Sequence, residues 1–130
     1  MPTEIQFLAW TVVLGLAQLL SAAMLSTAQR GVQWNVSARD GQSEPLRGVA
    51  GRMDRAFRNL METFPFFAAL VLAVAVTGRG DALSALGAQL YFWSRLIYVP
   101  LYAAGIPYVR SLVWSVGLVG LVMLLWGLCG

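Results

Sequence analysis

The chain has no lysine, no histidine and a single cysteine, and only 12% of its residues are charged. Each absence excludes a chemistry. Without histidine there is no imidazole base and no histidine metal site. With Cys129 alone there is no intramolecular disulfide and no cysteine cluster for zinc. Walker loops, dinucleotide-type glycine motifs and aromatic-plus-basic RNA patterns are also missing. All 9 basic residues are arginine, and the net charge is +3. On so apolar a chain a few clustered arginines read as membrane orientation, not as a nucleic-acid footprint.

What fills the chain is hydrocarbon. Hydrophobic residues make up 58% of the 130, and the mean hydropathy is +0.69. Soluble domains are usually about 45–50% apolar. Four apolar stretches stand out, at about residues 5–28, 52–77, 82–104 and 108–129. Each is long enough for a span of roughly 20 residues across a core of about 30 Å. Lipid admits only helices or closed barrels, and runs without period-2 alternation choose helices. The expected fold is an all-α membrane protein, a four-transmembrane-helix bundle in one domain over residues 1–130. The leader "MPTEIQ" has an acid where a secretory n-region is basic, and the first run is too long for a signal peptide. "STA" at Ser26–Ala28 is only a loose match to a cleavage site.

The connections differ in kind. "GRGD" (Gly78–Asp81) predicts a tight turn with Asp81 as N-cap of the third helix. "GIP" (Gly105–Pro107) predicts a second short break. Residues 29–51 form a longer polar link, with Arg30, Arg39 and Arg47 against Asp40 and Glu44. The positive-inside rule places that link in the cytoplasm and both termini outside. The compact chain suggests a bacterial inner membrane. "NVS" (Asn35–Ser37) matches a glycosylation sequon that would be silent on a cytoplasmic loop.

Charge inside the spans follows helical spacing. Arg55, Arg58, Asn59 and Glu62 share a face, as do Tyr91, Arg95, Tyr98 and Tyr102, and as do Arg110 and Trp114. At 1.5 Å per residue, Glu62 lies roughly 15 Å beyond Arg52, and Arg95 roughly 13 Å inside Ala104. Three helices therefore carry polar faces into the cytoplasmic half of the membrane. A central Arg or Glu costs about 2.5–3.5 kcal/mol to insert. One reading is an internal ion pair, Glu62 with Arg58 or Arg95, that orients helices. The other starts from the surplus of arginines over Glu62, which calls for an anion: a pocket for an acidic small molecule, open to the cytoplasm and bordered by lipid. Pro65 withdraws a backbone partner from Met61 and favours a bend just beyond Glu62. Ser111, Ser115, Gly117 and Gly120 suit close helix packing, and Gln18 is expected to hydrogen-bond a neighbouring helix. Trp10, Trp93 and Trp126 are expected to face lipid or its interface.

"RAFRNLMETFPFF" (Arg55–Phe67) resembles the second-helix motif of the MAPEG proteins, membrane-associated proteins in eicosanoid and glutathione metabolism. "YFWSRLIYVPLYAAGIPYVRSLVW" (Tyr91–Trp114) is similar to their third-helix arginine and tyrosines, short turn and fourth-helix "RS". The resemblance implies a homotrimer with glutathione held between neighbouring subunits in the cytoplasmic half. It implies that Arg55, Arg58, Asn59 and Glu62 hold glutathione, with Glu62 suited to its ammonium. Arg95, Tyr98 and Tyr102 would line the same site, with Trp114 beside them. Arg110 matches the arginine credited with stabilising the thiolate, and Arg30 a residue reaching a glutathione carboxylate. Three departures bear on the substrate. Tyr98 stands where the prostaglandin-synthase branch has histidine, Trp114 stands where some members have tyrosine, and the turn before Arg110 differs in length. They count against prostaglandin isomerisation.

The implied activity is a glutathione transferase that also acts as a peroxidase, attacking a lipophilic electrophile or lipid hydroperoxide delivered from the bilayer. Two other functions fit the residues less closely. A non-catalytic lipid-binding member of the same fold would keep the trimer and lose the thiolate stabiliser. A small proton-coupled multidrug exporter would carry its buried glutamate in the first span.

Overall fold

The computed structural model describes residues 1–31 and 46–130. The sequon and the charges Arg39, Asp40 and Glu44 lie outside the described residues. The described chain forms four helices: α1 (Thr3–Arg30), α2 (Gly48–Thr77), α3 (Ala82–Ala103) and α4 (Tyr108–Cys129). Glu4 meets Ser84, so α1 and α3 start side by side. Arg52 Nε donates to the Ala103 carbonyl at 2.8 Å, so α2 starts where α3 ends. The bundle thus has a terminal end, holding both termini and the α2–α3 turn, and a loop end opposite.

α1, α2 and α4 are long and apolar enough to cross a membrane. α3 is less apolar, because Ser84, Gln89, Ser94, Arg95 and its tyrosines dilute its hydropathy. Its place in the bundle explains that composition: Ser84, Tyr91, Ser94, Arg95 and Tyr98 are all buried. The exposed faces of α1 and α4 are mostly apolar, with Trp10 and Trp126 outward, while α2 also exposes Arg55, Arg58 and Glu62. Trp93 of α3 is exposed as well.

Two expected boundaries move. α1 reaches Arg30, which places that arginine on the last helical turn and not in the link. α2 begins at Gly48, four residues before Arg52. The extra turn, "GVAG", has little hydropathy of its own and is held by neighbours. Ala50 is buried, and a side chain on Gly51 would meet the Leu46 carbonyl at 2.7 Å. The Gln29 side chain pairs with the backbone of Arg47 in both directions, at 2.8 and 3.0 Å, closing the mouth of the link.

The turns follow the sequence. Gly78 takes a left-handed conformation (φ 68°), and Arg79 N–H reaches back to the Val74 carbonyl, which ends α2. Asp81 caps α3 in a reciprocal box with Ser84, each side chain bonded to the other's backbone N–H at 2.9 Å. Gly105 (φ 76°) turns the chain from α3 to α4. α2 runs helical through Pro65, and α3 through Pro100.

The core joins α2, α3 and α4 through Leu60, Phe67, Tyr91, Leu121 and Leu124, with Phe67 and Tyr91 stacked at 4.2 Å. α3 and α4 approach backbone to backbone at Gly87 and Gly120. A Cβ on Gly120 would lie 2.5 Å from the Gly87 oxygen. Gly117 is equally tight, against Ser94. Ser111 and Ser115 do not share this role. Both are exposed, and the Ser115 hydroxyl donates to the Ser111 carbonyl one turn back. Gln18 also departs from expectation: it is 3% exposed, yet its amide has no hydrogen-bond partner among the described residues.

Candidate functional site

The polar layer sits towards the loop end and is built from α2, α3 and the start of α4. Arg95 is its centre. The residue is 2% exposed, an unusual burial for a cation. Nη1 donates to the Asn59 side-chain oxygen at 2.9 Å, and the group lies over the Tyr98 ring at 4.4 Å. The Nε has no hydrogen-bond partner among the described residues. One turn along α3, Tyr102 packs against Tyr98 with ring centroids 5.5 Å apart. Arg110, on the first turn of α4, lies over the Tyr102 ring at 4.5 Å. Asn59, Arg95, Tyr98, Tyr102 and Arg110 thus form one continuous chain of contacts across three helices. The spacing of Arg95, Tyr98 and Tyr102 on one helical face produces it, and the short Gly105 turn brings Arg110 back to that face.

Stacking on tyrosine is worth about 0.5–2 kcal/mol to a cation. It does not neutralise it. Among the described residues no carboxylate lies within 4 Å of Arg95 or Arg110. Glu62 makes no salt bridge with Arg58 or Arg95 among the described residues, although it lies near enough to Arg95 to act on it electrostatically. Arg58 instead pairs with Asp54, four residues back, at 3.2 Å, while Glu62 is exposed on the surface of α2. The i, i+4 geometry accounts for the exchange: Asp54 and Arg58 lie on the same face one turn apart. Arg95 takes Asn59 because that side chain points towards α3.

The remaining expected site residues stand apart from this chain. Arg55 is exposed; Trp114 is the exception, half-buried beside Arg95 and lining the same small cavity. Arg30 and Arg58, with Asp54, line a different cavity of about 280 Å³ between α1 and α2. On α2 each residue turns by about 100°, so Asn59 and Arg58 diverge at once. Asn59 sits at one edge of the polar stripe and Arg58 at the other, with Arg55 and Glu62 exposed between them. One chain therefore offers two half-sites, one centred on Arg95 and Arg110, the other on Arg30 and Arg58.

Three polar contacts were not anticipated from sequence. Thr63 and Tyr91 share a 2.8 Å hydroxyl bond beneath Arg95. Arg52 holds the end of α3, as described above. Glu4 is buried at the terminal end, where it accepts from the Ser84 hydroxyl at 2.9 Å. Glu4 and Ser84 are 80 residues apart, beyond any local signal. Thr63 could have been found, since it follows Glu62 on the inward side of the stripe.

These features define a class: an integral-membrane helical bundle with a buried cationic layer near one end. The chain belongs to the MAPEG family, whose family model matches residues 7–130, essentially its full length. That membership sets aside the exporter reading. Comparison with curated proteins and with solved structures returned no match.

Proposed function

We propose that this protein is a glutathione-dependent transferase, with peroxidase activity towards lipid hydroperoxides as a second reaction of the same thiolate. The observation that carries this reading is the pair Arg95–Arg110: two guanidinium groups in one polar layer, one fully buried, with a neutral amide and two tyrosine faces as their company. A buried cation without a counter-ion costs several kcal/mol. An anionic guest repays that cost when it binds. Glutathione suits the layer because it has two carboxylates, one ammonium and an ionisable thiol.

In this reading Arg95, Asn59, Tyr98 and Tyr102 hold the peptide, and Arg110 faces the sulfur. A free thiol, with a pKa of about 8.5, is only a few per cent thiolate at pH 7. A guanidinium at hydrogen-bond distance favours the charged form, and arginine keeps its own proton throughout. Lowering the pKa by about two units takes roughly 2.7 kcal/mol, within reach of a partly desolvated charge pair. The thiolate then forms a bond to an electrophilic carbon as the leaving group departs, or to the terminal peroxide oxygen as the O–O bond breaks. No protein nucleophile takes part. Trp114 borders the place where the lipophilic partner would lie.

The split between half-sites supports a homotrimer with the site between neighbours. A second copy would bring Arg30 of its α1–α2 face to the Arg95–Arg110 chain, and would cover Glu62 and Arg55 on the α2 stripe. Glu62 would then face the glutathione ammonium. The positive charge of the long polar link favours a cytoplasmic position for the layer, in agreement with the cellular supply of reduced glutathione. The test is glutathione-dependent conjugation of a chromogenic aryl halide by purified protein, with Arg110→Ala as control. Turnover lost in that variant supports the reading. Tight glutathione binding without turnover of any electrophile would favour a non-catalytic member, and no binding at all would end the proposal.

A further inference from the structure

Between α2, α3 and α4, on the inner side of Arg95, lies a cavity with about 10 Å³ of room for the centre of a water molecule. Thr63, Tyr91, Arg95 and Trp114 are among the residues around it. One water needs about 10–15 Å³ by this measure, together with two to four polar partners. The partners are present. Arg95 is 2% exposed, and its Nε–H is a buried donor with no acceptor among the described residues. The Thr63 hydroxyl donates to the Leu60 carbonyl at 3.3 Å and bonds to the Tyr91 hydroxyl at 2.8 Å, which leaves acceptor lone pairs on the two hydroxyl oxygens. Tyr91 is 1% exposed and held by stacking on Phe67 at 4.2 Å, so its hydroxyl cannot swing away. An orphaned donor on a buried cation costs more than a neutral one, because the charge strengthens every bond it fails to make.

We infer that this cavity is a binding site for a single ordered water, which accepts from Arg95 Nε and donates to the Thr63–Tyr91 hydroxyl pair. The water converts a guanidinium fixed at one nitrogen, through Asn59, into one fixed on two sides. Thr63 and Tyr91 thereby become positioning residues for Arg95, acting through the water and touching no substrate. Their effect on ligand binding rests on the glutathione reading above; the presence of the water does not.

The test has two arms. The first is an experimental structure of the wild-type protein without added thiol, at a resolution that shows ordered water. It should show one water within hydrogen-bond distance of Arg95 Nε and of a Thr63 or Tyr91 hydroxyl. A dry cavity, or one filled by a neighbouring side chain, overturns the inference whatever the protein does with glutathione. The second is glutathione binding to Thr63→Val and Thr63→Ser. Valine keeps the shape and removes the hydroxyl, so the dissociation constant should rise about three- to tenfold, with the serine variant restoring it. Equal affinity in the valine variant and the wild type would refute the positioning role. Tyr91→Phe, which keeps the stack on Phe67, provides the same comparison if the valine variant does not assemble.

Discussion

Replacing Asn59 should harm the fold more than replacing the arginine it serves. Among the described residues Asn59 provides the one hydrogen bond on the Arg95 guanidinium, at 2.9 Å, and Arg95 is 2% exposed. In Asn59→Leu the charge stays buried and loses that bond. Hydrogen bonds to charged groups are worth about 1.5–3 kcal/mol, so the variant should lose about 2–3 kcal/mol of stability. Arg95→Leu forfeits the same bond and the stack on Tyr98, but it also removes a charge that costs about 2.5–3.5 kcal/mol inside a membrane. Those terms nearly cancel, and the change should stay within about 1 kcal/mol. The double variant should be more stable than Asn59→Leu alone, with a coupling of about 2 kcal/mol. Equilibrium unfolding in mixed micelles measures all four corners of the cycle. Saturating glutathione, at about 100 times its dissociation constant, should add about 2.7 kcal/mol to the wild type and much less to Arg95→Leu. If Arg95→Leu proves the more damaging single change, Arg95 is a structural strut, and the argument from an uncompensated cation fails.

Three further outcomes follow from the same geometry. Arg110→Ala should return the bound thiol from a pKa of about 6.5 to about 8.5, which lowers the thiolate fraction at pH 7 about 25-fold. The conjugation rate should fall by that factor at pH 7 and recover as pH rises through 8.5, a shift visible in the pH–rate profile. Gly120→Ala should destabilise by about 1–3 kcal/mol by overpacking, because its Cβ would sit 2.5 Å from the Gly87 backbone oxygen; unfolding in micelles reads the loss directly. Asp81→Ala removes the cap of α3 and should cost about 1 kcal/mol, seen as faster hydrogen exchange at the N–H of Ser84, with conjugation little changed.

The parts of the architecture legible in the sequence were those written in local patterns. Apolar runs announced the four helices, three of them long and apolar enough to span a membrane; "GRGD" announced the turn and its Asp81 cap, and the spacing of Arg95, Tyr98 and Tyr102 announced a shared face. Arg110 joined that face because the predicted break at Gly105–Pro107 was short enough to return it. What could not be read were pairings between side chains. Glu62 looked like the partner for a buried arginine, yet the structure gives Arg58 to Asp54 and Arg95 to Asn59. A helical stripe states which residues face the same way, but not which of two adjacent residues turns inward, and Arg58 and Asn59 fall on opposite edges. The first turn of α2 was hidden for a different reason. "GVAG" has weak helical preference, and its conformation is enforced by Leu46, Gln29 and Arg52, none of which marks it in the sequence. Gln18 shows the converse: a polar residue in a span suggests a bond, and burial alone does not provide one.

The most direct test of the central claim is a structure of the assembled protein with glutathione. The account predicts density against Arg95 and Tyr98, with the sulfur beside Arg110 and Arg30 of an adjoining copy at a carboxylate. Glutathione bound elsewhere, with Arg95 still closed on Asn59 and Arg110 turned to the headgroups, would contradict it.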